Sequence, residues 1–217
     1  SPLTVIRGLL STITEYHERL SVEEILDMVA RSQDAVVRLD KLVSDLLLLS
    51  KLDAGDLPRP TRIVSLRDIL AQALDEARIA HPERDFVLRA VEGEARVRGD
   101  GEQLRDVIAS LLDNAVNYSP EATPIEIDVA SGDGTVAVTI RDRGPGVPAG
   151  ELDRIFSRFH RVRTARNATV AGAGIGLAVC RALVERHGGQ IEASKPAGGG
   201  LAVTFTLPLA ARKPKRI

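Results

Sequence analysis

Tryptophan is absent from the 217 residues, cysteine and methionine occur once each, and aromatic residues make up only 3%. A hydrophobic core must therefore come from Leu, Val, Ile and Ala. A hydrophobic content of 44% is enough for one large domain or two small ones. One cysteine excludes an internal disulfide and fits a reducing cytosol. Cys180 lies in the apolar stretch Leu177-Ala178-Val179-Cys180, which reads as core rather than as a reactive thiol. An excess of one charge is also missing: the formal net charge is −1, so no basic field argues for a nucleic-acid partner. No uninterrupted apolar run approaches the roughly 20 residues of a membrane span, so no direct membrane contact is expected of this chain. A cytoplasmic location is expected for it, whether or not a longer parent is anchored in a membrane.

Residues 1–54 lack proline after Pro2 and glycine except Gly8, and they read as helix. From Ser21 the apolar positions fall on heptads, with Val22, Val29, Val36 and Val43 on one row and Ile25, Leu39 and Leu46 on the other. Ser32 interrupts the second row. Ser21 followed by Glu24 is a capping box, which marks a helix start. A preceding helix, Pro2 to Tyr16, carries Leu3, Ile6, Leu9, Leu10 and Ile13, so the two form a hairpin. The apolar stripe, with Leu42, Leu46, Leu47 and Leu49, is wider than one partner helix would cover. A hairpin packed on its own domain would account for it. Pairing with a second hairpin into a homodimeric four-helix bundle accounts for it better, because no other helix-rich segment is available.

Residues 55–60 contain two prolines and read as a linker, residues 61–210 as a second domain, and residues 211–217 as a solvated basic tail. In the second domain Ser65 to Ala80 and Gly101 to Asn117 read as helices, the latter with Leu104, Val107, Ile108, Leu111 and Leu112 on one face. Short strands are expected at Asp85 to Arg89 and Ala95 to Arg98. Ile125–Val129 and Thr135–Ile140 alternate as strands, joined by a hairpin turn at Ser131-Gly132-Asp133-Gly134. A helix near Ile175 to His187 and strands near Gln190–Ser194 and Leu201–Leu207 follow. Helices and strands that do not alternate strictly point to a two-layer α/β sandwich with a mixed sheet.

Three patches carry chemistry. Asn114, in Asp113-Asn114-Ala115-Val116-Asn117-Tyr118, offers a neutral amide oxygen suited to a magnesium ion that already carries phosphate oxygens and waters. Asn117 and Tyr118 lie one turn further on. The plainer reading is an exposed helix C-terminus, where Asn is common. Asp142 ends a strand and leads into Gly144 and Gly146; a buried carboxylate accepts from the exocyclic amine of adenine, where guanine presents a carbonyl. A simple turn after a strand explains that patch equally well. Gly172-Ala173-Gly174-Ile175-Gly176-Leu177 opens a helix whose N–H groups can hold phosphate, although it is neither a Walker A loop nor a dinucleotide fingerprint. The basic stretch Arg161-Val162-Arg163-Thr164-Ala165-Arg166 before it suits either a lid or a solvated loop.

Taken in this order, the patches resemble the ATP-binding domain of sensor histidine kinases, within the wider gyrase, Hsp90 and MutL-like ATPase group. The resemblance spans nearly the whole chain. Leu111 to Ser119 is similar to the N box, Asp142 to Gly146 to the G1 box, Ile155 to Arg161 to the F box and Gly172 to Leu177 to the G2 box. It implies an α+β fold, with ATP and Mg2+ as cofactors. Asn114 would bind the metal and Asp142 would read adenine. Asn117 and Tyr118 would contact the nucleotide. Gly144, Gly146, Gly172, Gly174 and Gly176, with Phe159, Ile175 and Leu177, would complete the pocket and phosphate cradle. Arg158 or a lid arginine would meet the γ-phosphate. The sequence departs from the family at Ser110, where asparagine is usual, at Asn117, where a basic residue is common, and at Leu201, where a small hydroxyl residue is usual.

Ser1-Pro2-Leu3-Thr4 is similar to the end of the family's phospho-acceptor motif, which implies an acceptor histidine just upstream. Ser1 would then hold the position that orients water for dephosphorylating the partner. None of His17, His81, His160 and His187 has that motif around it, so this chain is expected to bind Mg-ATP without forming a phosphohistidine. The implied partners are a second copy through the hairpin and the receiver domain of a response regulator. A nucleotide-binding regulatory module without catalysis is the alternative that Ser110 and Asn117 raise. A gyrase- or Hsp90-like ATPase is disfavoured by the F box and the hairpin.

Overall fold

The structure is a computed structural model that describes residues 2–56, 58, 60–91, 95–162 and 173–210. Two compact units divide the chain, Ser1–Ala54 and Gly55–Ile217. The first is a hairpin of α1 (Pro2–Tyr16) and α2 (Val22–Ala54), packed along each other. The capping box forms in both directions: Ser21 N–H donates to Glu24 Oε2 at 2.8 Å, and Glu24 N–H donates to Ser21 Oγ at 3.2 Å. Ser32, the break in the heptad row, is buried, and its hydroxyl donates to the Met28 carbonyl at 2.8 Å. Val22, Val29, Val36 and Val43 remain exposed along one row of α2.

The second unit is two-layered. Strands β2 (Phe86–Val91), β4 (Ile125–Gly132), β5 (Thr135–Arg141), β7 (Ala202–Pro208) and β6 (Gln190–Ser194) form a five-stranded sheet in the order β2-β4-β5-β7-β6. The β2–β4 pair is parallel and the other pairs are antiparallel, so the sheet is mixed. Helices α3 (Leu66–Ala80), α4 (Gly101–Tyr118) and α5 (Gly176–Arg186) form the second layer, with α4 packed between the other two. Strand periodicity decides what faces them. Ile125, Ile127, Val129, Val136, Val138, Ile140, Val203, Phe205 and Leu207 are buried on one face of the sheet. Leu104, Val107, Ile108, Leu111 and Leu112 of α4 meet them, and each fully buried side chain stabilises by about 1.5–3 kcal/mol. The opposite face carries Glu126, Asp128, Thr139, Arg141, Thr204 and Thr206.

The β4–β5 turn is tighter than the sequence suggests. Pairing continues to Gly132 and Thr135, which leaves Asp133 and Gly134 as the loop, both with positive φ (50° and 74°). Strand β3 (Arg96–Arg98) forms where a short strand is expected at Ala95 to Arg98; its antiparallel partner β1 (Ile63–Ser65) was not legible in the sequence, since three residues leave no periodicity to read. Ser65 caps α3 rather than beginning it: its Oγ accepts from Asp68 N–H. At the far end of the helical layer His187 joins α5 to α4. Its Nδ1 donates to the Leu183 carbonyl at 2.7 Å, and Nε2 accepts the N–H of Asp100, the residue that caps α4, at 3.0 Å.

Candidate functional site

Asp142 is the centre of the site. It continues the inward parity of Val136, Val138 and Ile140 one step past the end of β5, so its carboxylate turns toward the C-terminal end of α4. Only 5% of it is exposed. Oδ1 accepts two backbone N–H groups, from Gly144 at 2.7 Å and Leu201 at 3.2 Å. Oδ2 receives no hydrogen bond among the described residues, which leaves an acceptor for a ligand. Burial pushes the carboxyl pKa up from its ordinary value of 3.8, and the two backbone donors pull against that rise.

The glycines here explain why three separated segments meet. A Cβ on Gly144 would collide with the Tyr118 carbonyl, so the turn after β5 lies directly against the end of α4. Gly146, at φ +69°, faces Gly200, and an added Cβ would stand 2.7 Å from the Gly200 carbonyl oxygen. Gly200, at φ +82°, in turn sits on the backbone of Asp142. The sequence suggests that Gly144 and Gly146 admit a base; what fills their missing side chains in this structure is backbone. Leu201, which departs from the family's small hydroxyl residue, is buried and serves Asp142 through its N–H.

On α4, Ser110, Asn114, Asn117 and Tyr118 share a helical face at spacings of about one turn. Asn114 and Tyr118 are half-buried and Asn117 is exposed. Asn114 makes no hydrogen bond among the described residues. A Cβ on Gly176 would stand 3.3 Å from Ser110 Oγ, which brings the start of α5 against this face. Ile175 occupies the cap position of α5 with its side chain packed away, and no side chain caps the helix. The first N–H groups of α5, at Gly176 and Leu177, are therefore available to an anion. Gly174, at φ +71°, is pinned: Phe159 N–H donates to its carbonyl at 2.8 Å. Phe159 itself is 66% exposed and adopts φ 62°, an unusual backbone for an aromatic residue. Arg158 beside it is exposed. His160 Nε2 lies 2.5 Å from Glu151 Oε2.

Ser1, Gly172, Arg163 and Arg166 lie outside the described residues. Three further positions emerge only from the structure. Arg84 donates to the carbonyls of Val116, Ser119 and Pro120 and so closes the end of α4. Glu126, which is buried, accepts a hydrogen bond from the half-exposed Arg143, the residue after Asp142. No sequence pattern links residues so far apart.

Among the described residues no group of three or more His, Cys, Asp or Glu could hold a metal ion. A magnesium ion would fit only with other oxygens added to the Asn114 amide, and the phosphates of a nucleotide supply those. No helix among the described residues is long and apolar enough to cross a membrane.

Residues 99–211 match the family described as histidine kinase-, DNA gyrase B-, and HSP90-like ATPase, and residues 1–55 match the His Kinase A (phospho-acceptor) domain. Curated relatives include the sensor histidine kinase WalK of Bacillus subtilis (strain 168), 30% identical over 96% of this chain and 34% of its own length. The signal transduction histidine-protein kinase BaeS of Escherichia coli (strain K12) is 34% identical over 96% of this chain and 44% of its own length. The chain thus spans less than half the length of either. Among solved structures, the mycobacterial sensor histidine kinase MprB superimposes with a TM-score of 0.61 at 27% identity, over 68% of this chain and 97% of that one. Acinetobacter baumannii histidine kinase AdeS, at 21% identity, shares the fold with a TM-score of 0.74 over 97% of this chain and 96% of that one.

Proposed function

Because this chain belongs to the histidine kinase-, DNA gyrase B- and HSP90-like ATPases, as a two-component histidine kinase transmitter core, we propose that it binds Mg-ATP and holds the γ-phosphoryl group for transfer. The acceptor would be the histidine of the motif whose end is Ser1-Pro2-Leu3, and the next acceptor an aspartate of a response regulator. The buried Asp142 carboxylate carries this reading: Oδ1 is committed to two backbone N–H groups and Oδ2 is left for the exocyclic amine of adenine. The N–H groups of Gly176 and Leu177 would hold phosphate oxygens. Asn114 would offer its amide oxygen to magnesium, whose charge neutralises that developing on the phosphoryl oxygens. Arg158, with the lid arginines, would balance the remaining charge. The work of the chain is positioning, since phosphoryl transfer asks for little covalent chemistry from the protein.

The exposed row Val22, Val29, Val36 and Val43 supports a homodimer through the hairpin, because a second copy would cover an apolar stripe that α1 leaves open. Calorimetric titration of Mg-ATP into the chain tests the pocket. Saturable binding is expected, and Asn114→Ala and Asp142→Asn should each abolish it; retained affinity in both variants would sink the assignment. The regulatory alternative is favoured by Ser110 and Asn117 alone. It is separated by incubating the chain with γ-labelled Mg-ATP and a hairpin carrying the acceptor histidine: acid-labile label on the hairpin supports the kinase, and tight binding without transfer supports the regulatory module.

A further inference from the structure

Arg141 and Arg143 flank Asp142: alternation turns Arg141, the last residue of β5, to the sheet face opposite the helices, and Arg143, two residues on, reaches Glu126 on that same face. Each meets a carboxylate of β4. Arg141 pairs with Asp128, and Arg143 Nη2 donates to Glu126 Oε1 at 3.0 Å. In register Glu126 stands opposite Arg141 and Asp128 opposite Thr139, so both are diagonal cross-strand pairs. Glu126 is 7% exposed and also accepts from Arg89 Nη2 at 2.8 Å. Its pKa is held below the ordinary carboxylate value chiefly by the Arg143 hydrogen bond, with Arg89 adding to the effect against burial. The Arg143 guanidinium passes over Gly198, where an added Cβ would stand 2.6 Å from Nη1. The Arg143 backbone N–H donates to Ser119 Oγ at 3.0 Å. Arg143 is thus fixed at its backbone by the cap of α4 and at its guanidinium by β4, one residue from Asp142.

We propose that Glu126 is a positioning residue for nucleobase recognition: through the Arg143 guanidinium it fixes the turn that aims the Asp142 carboxylate at the exocyclic amine of an adenine nucleotide. The inference rests on the adenine reading of Asp142. The buried Glu126 carboxylate accepts from both half-exposed guanidinium groups, and these charge-assisted hydrogen bonds restrain the inner end of the Arg143 side chain. A neutral glutamine keeps the volume of Glu126 and loses the charge that holds Arg143 in place. The turn then loosens, and base discrimination suffers more than phosphate binding, since the N–H groups at Gly176 and Leu177 belong to a different segment.

Calorimetry of the whole chain with Mg-ATP and Mg-ITP tests this, because inosine presents a carbonyl where adenine presents the amine. The unaltered chain should prefer ATP. Glu126→Gln should weaken ATP binding about tenfold, the worth of one charge-assisted hydrogen bond, and change ITP binding by less than about twofold. Arg143→Met should do the same, and the double variant should lose no more than either single one. Thermal unfolding checks that each variant is folded. An unchanged ATP-to-ITP ratio in folded Glu126→Gln overturns the proposal, as does an equal loss for both nucleotides or an additive loss in the double variant. Should Glu126→Gln not fold, Arg143→Met decides by the same ratio, since that side chain is 43% exposed. If the unaltered chain shows no preference for ATP over ITP, the adenine reading itself fails and the proposal with it.

Discussion

Arg84 Nη2 donates to the Val116 carbonyl oxygen at 2.9 Å, and the same nitrogen reaches the Ser119 carbonyl at 2.9 Å. Nη1 adds the Pro120 carbonyl at 2.5 Å. The last turn of α4 leaves carbonyls without intrahelical partners, and a guanidinium from the α3–β2 connection satisfies them while meeting the negative end of the helix dipole. Asn117 and Tyr118 stand on that turn, and Ser119 holds the backbone of Arg143.

Replacing Arg84 with methionine should therefore cost about 1–2 kcal/mol of stability, since charged donors to carbonyls are lost at a partly exposed site. Chemical denaturation would measure it. Nucleotide affinity should fall as well, because the α4 terminus supports the turn that carries Asp142. A variant as stable as the parent would refute the capping role.

Gly200→Ala tests the contact between the turns before β7 and after β5. The backbone lies at φ +82°, and a Cβ would run into the Asp142 carbonyl, so strain and displacement act together. A loss of about 2–4 kcal/mol is expected, with Mg-ATP binding abolished. Gly199→Ala is the control: it shares the positive φ, at +81°, but meets nothing within 4 Å, so it should cost only about 1–2 kcal/mol and leave binding in place.

Asp142 predicts opposing effects on stability and binding. Its folded pKa lies above the unfolded 3.8, so its contribution to stability is fully present below pH 3.8 and is lost as pH rises through the folded pKa. At neutral pH the ionised carboxylate is a cost of the site. Asp142→Asn should keep or raise the melting temperature while Mg-ATP binding disappears. In the unaltered chain ATP affinity should weaken as pH falls through the raised pKa. A melting temperature that drops sharply in Asp142→Asn would count against this account.

His187 works in the other direction. Burial holds its pKa below 6.5, with the nearby Arg186 charge acting the same way against the Leu183 carbonyl and the Asp100 carboxylate, and Nε2 accepts the Asp100 N–H only while unprotonated. Its contribution to stability is full above pH 6.5 and is lost as pH falls from there through the folded pKa. Melting temperatures recorded down an acid series should decline across that window. His187→Gln, which offers an uncharged acceptor, should flatten the decline; an identical acid limb in both proteins would exclude His187 as its source.

Much of this was readable in advance. Heptads in α2, the capping box at Ser21 and Glu24, and alternation in β4 and β5 are local patterns whose periods match the elements they form. The same alternation sends Asp142 inward, and the family motifs offer Asn114, Asp142 and the G2 glycines as candidates without any coordinates. The short strand at Ile63–Ser65 escaped because its reason to exist is a partner more than thirty residues away in sequence.

The sequence by itself determined most of the elements and the layer that each apolar face must join, since these depend on spacing along the chain, and its motifs nominated the candidate ligand residues. Only the tertiary structure decided how the candidate site residues are held. Arg84 on the α4 carbonyls, His187 on Asp100, Gly200 under Asp142 and Glu126 behind Arg143 each join segments that are distant in sequence. Such pairings follow from chain packing and leave no period to read: a buried polar group must find a partner, and which partner it finds is settled by what the fold brings within 3 Å or so.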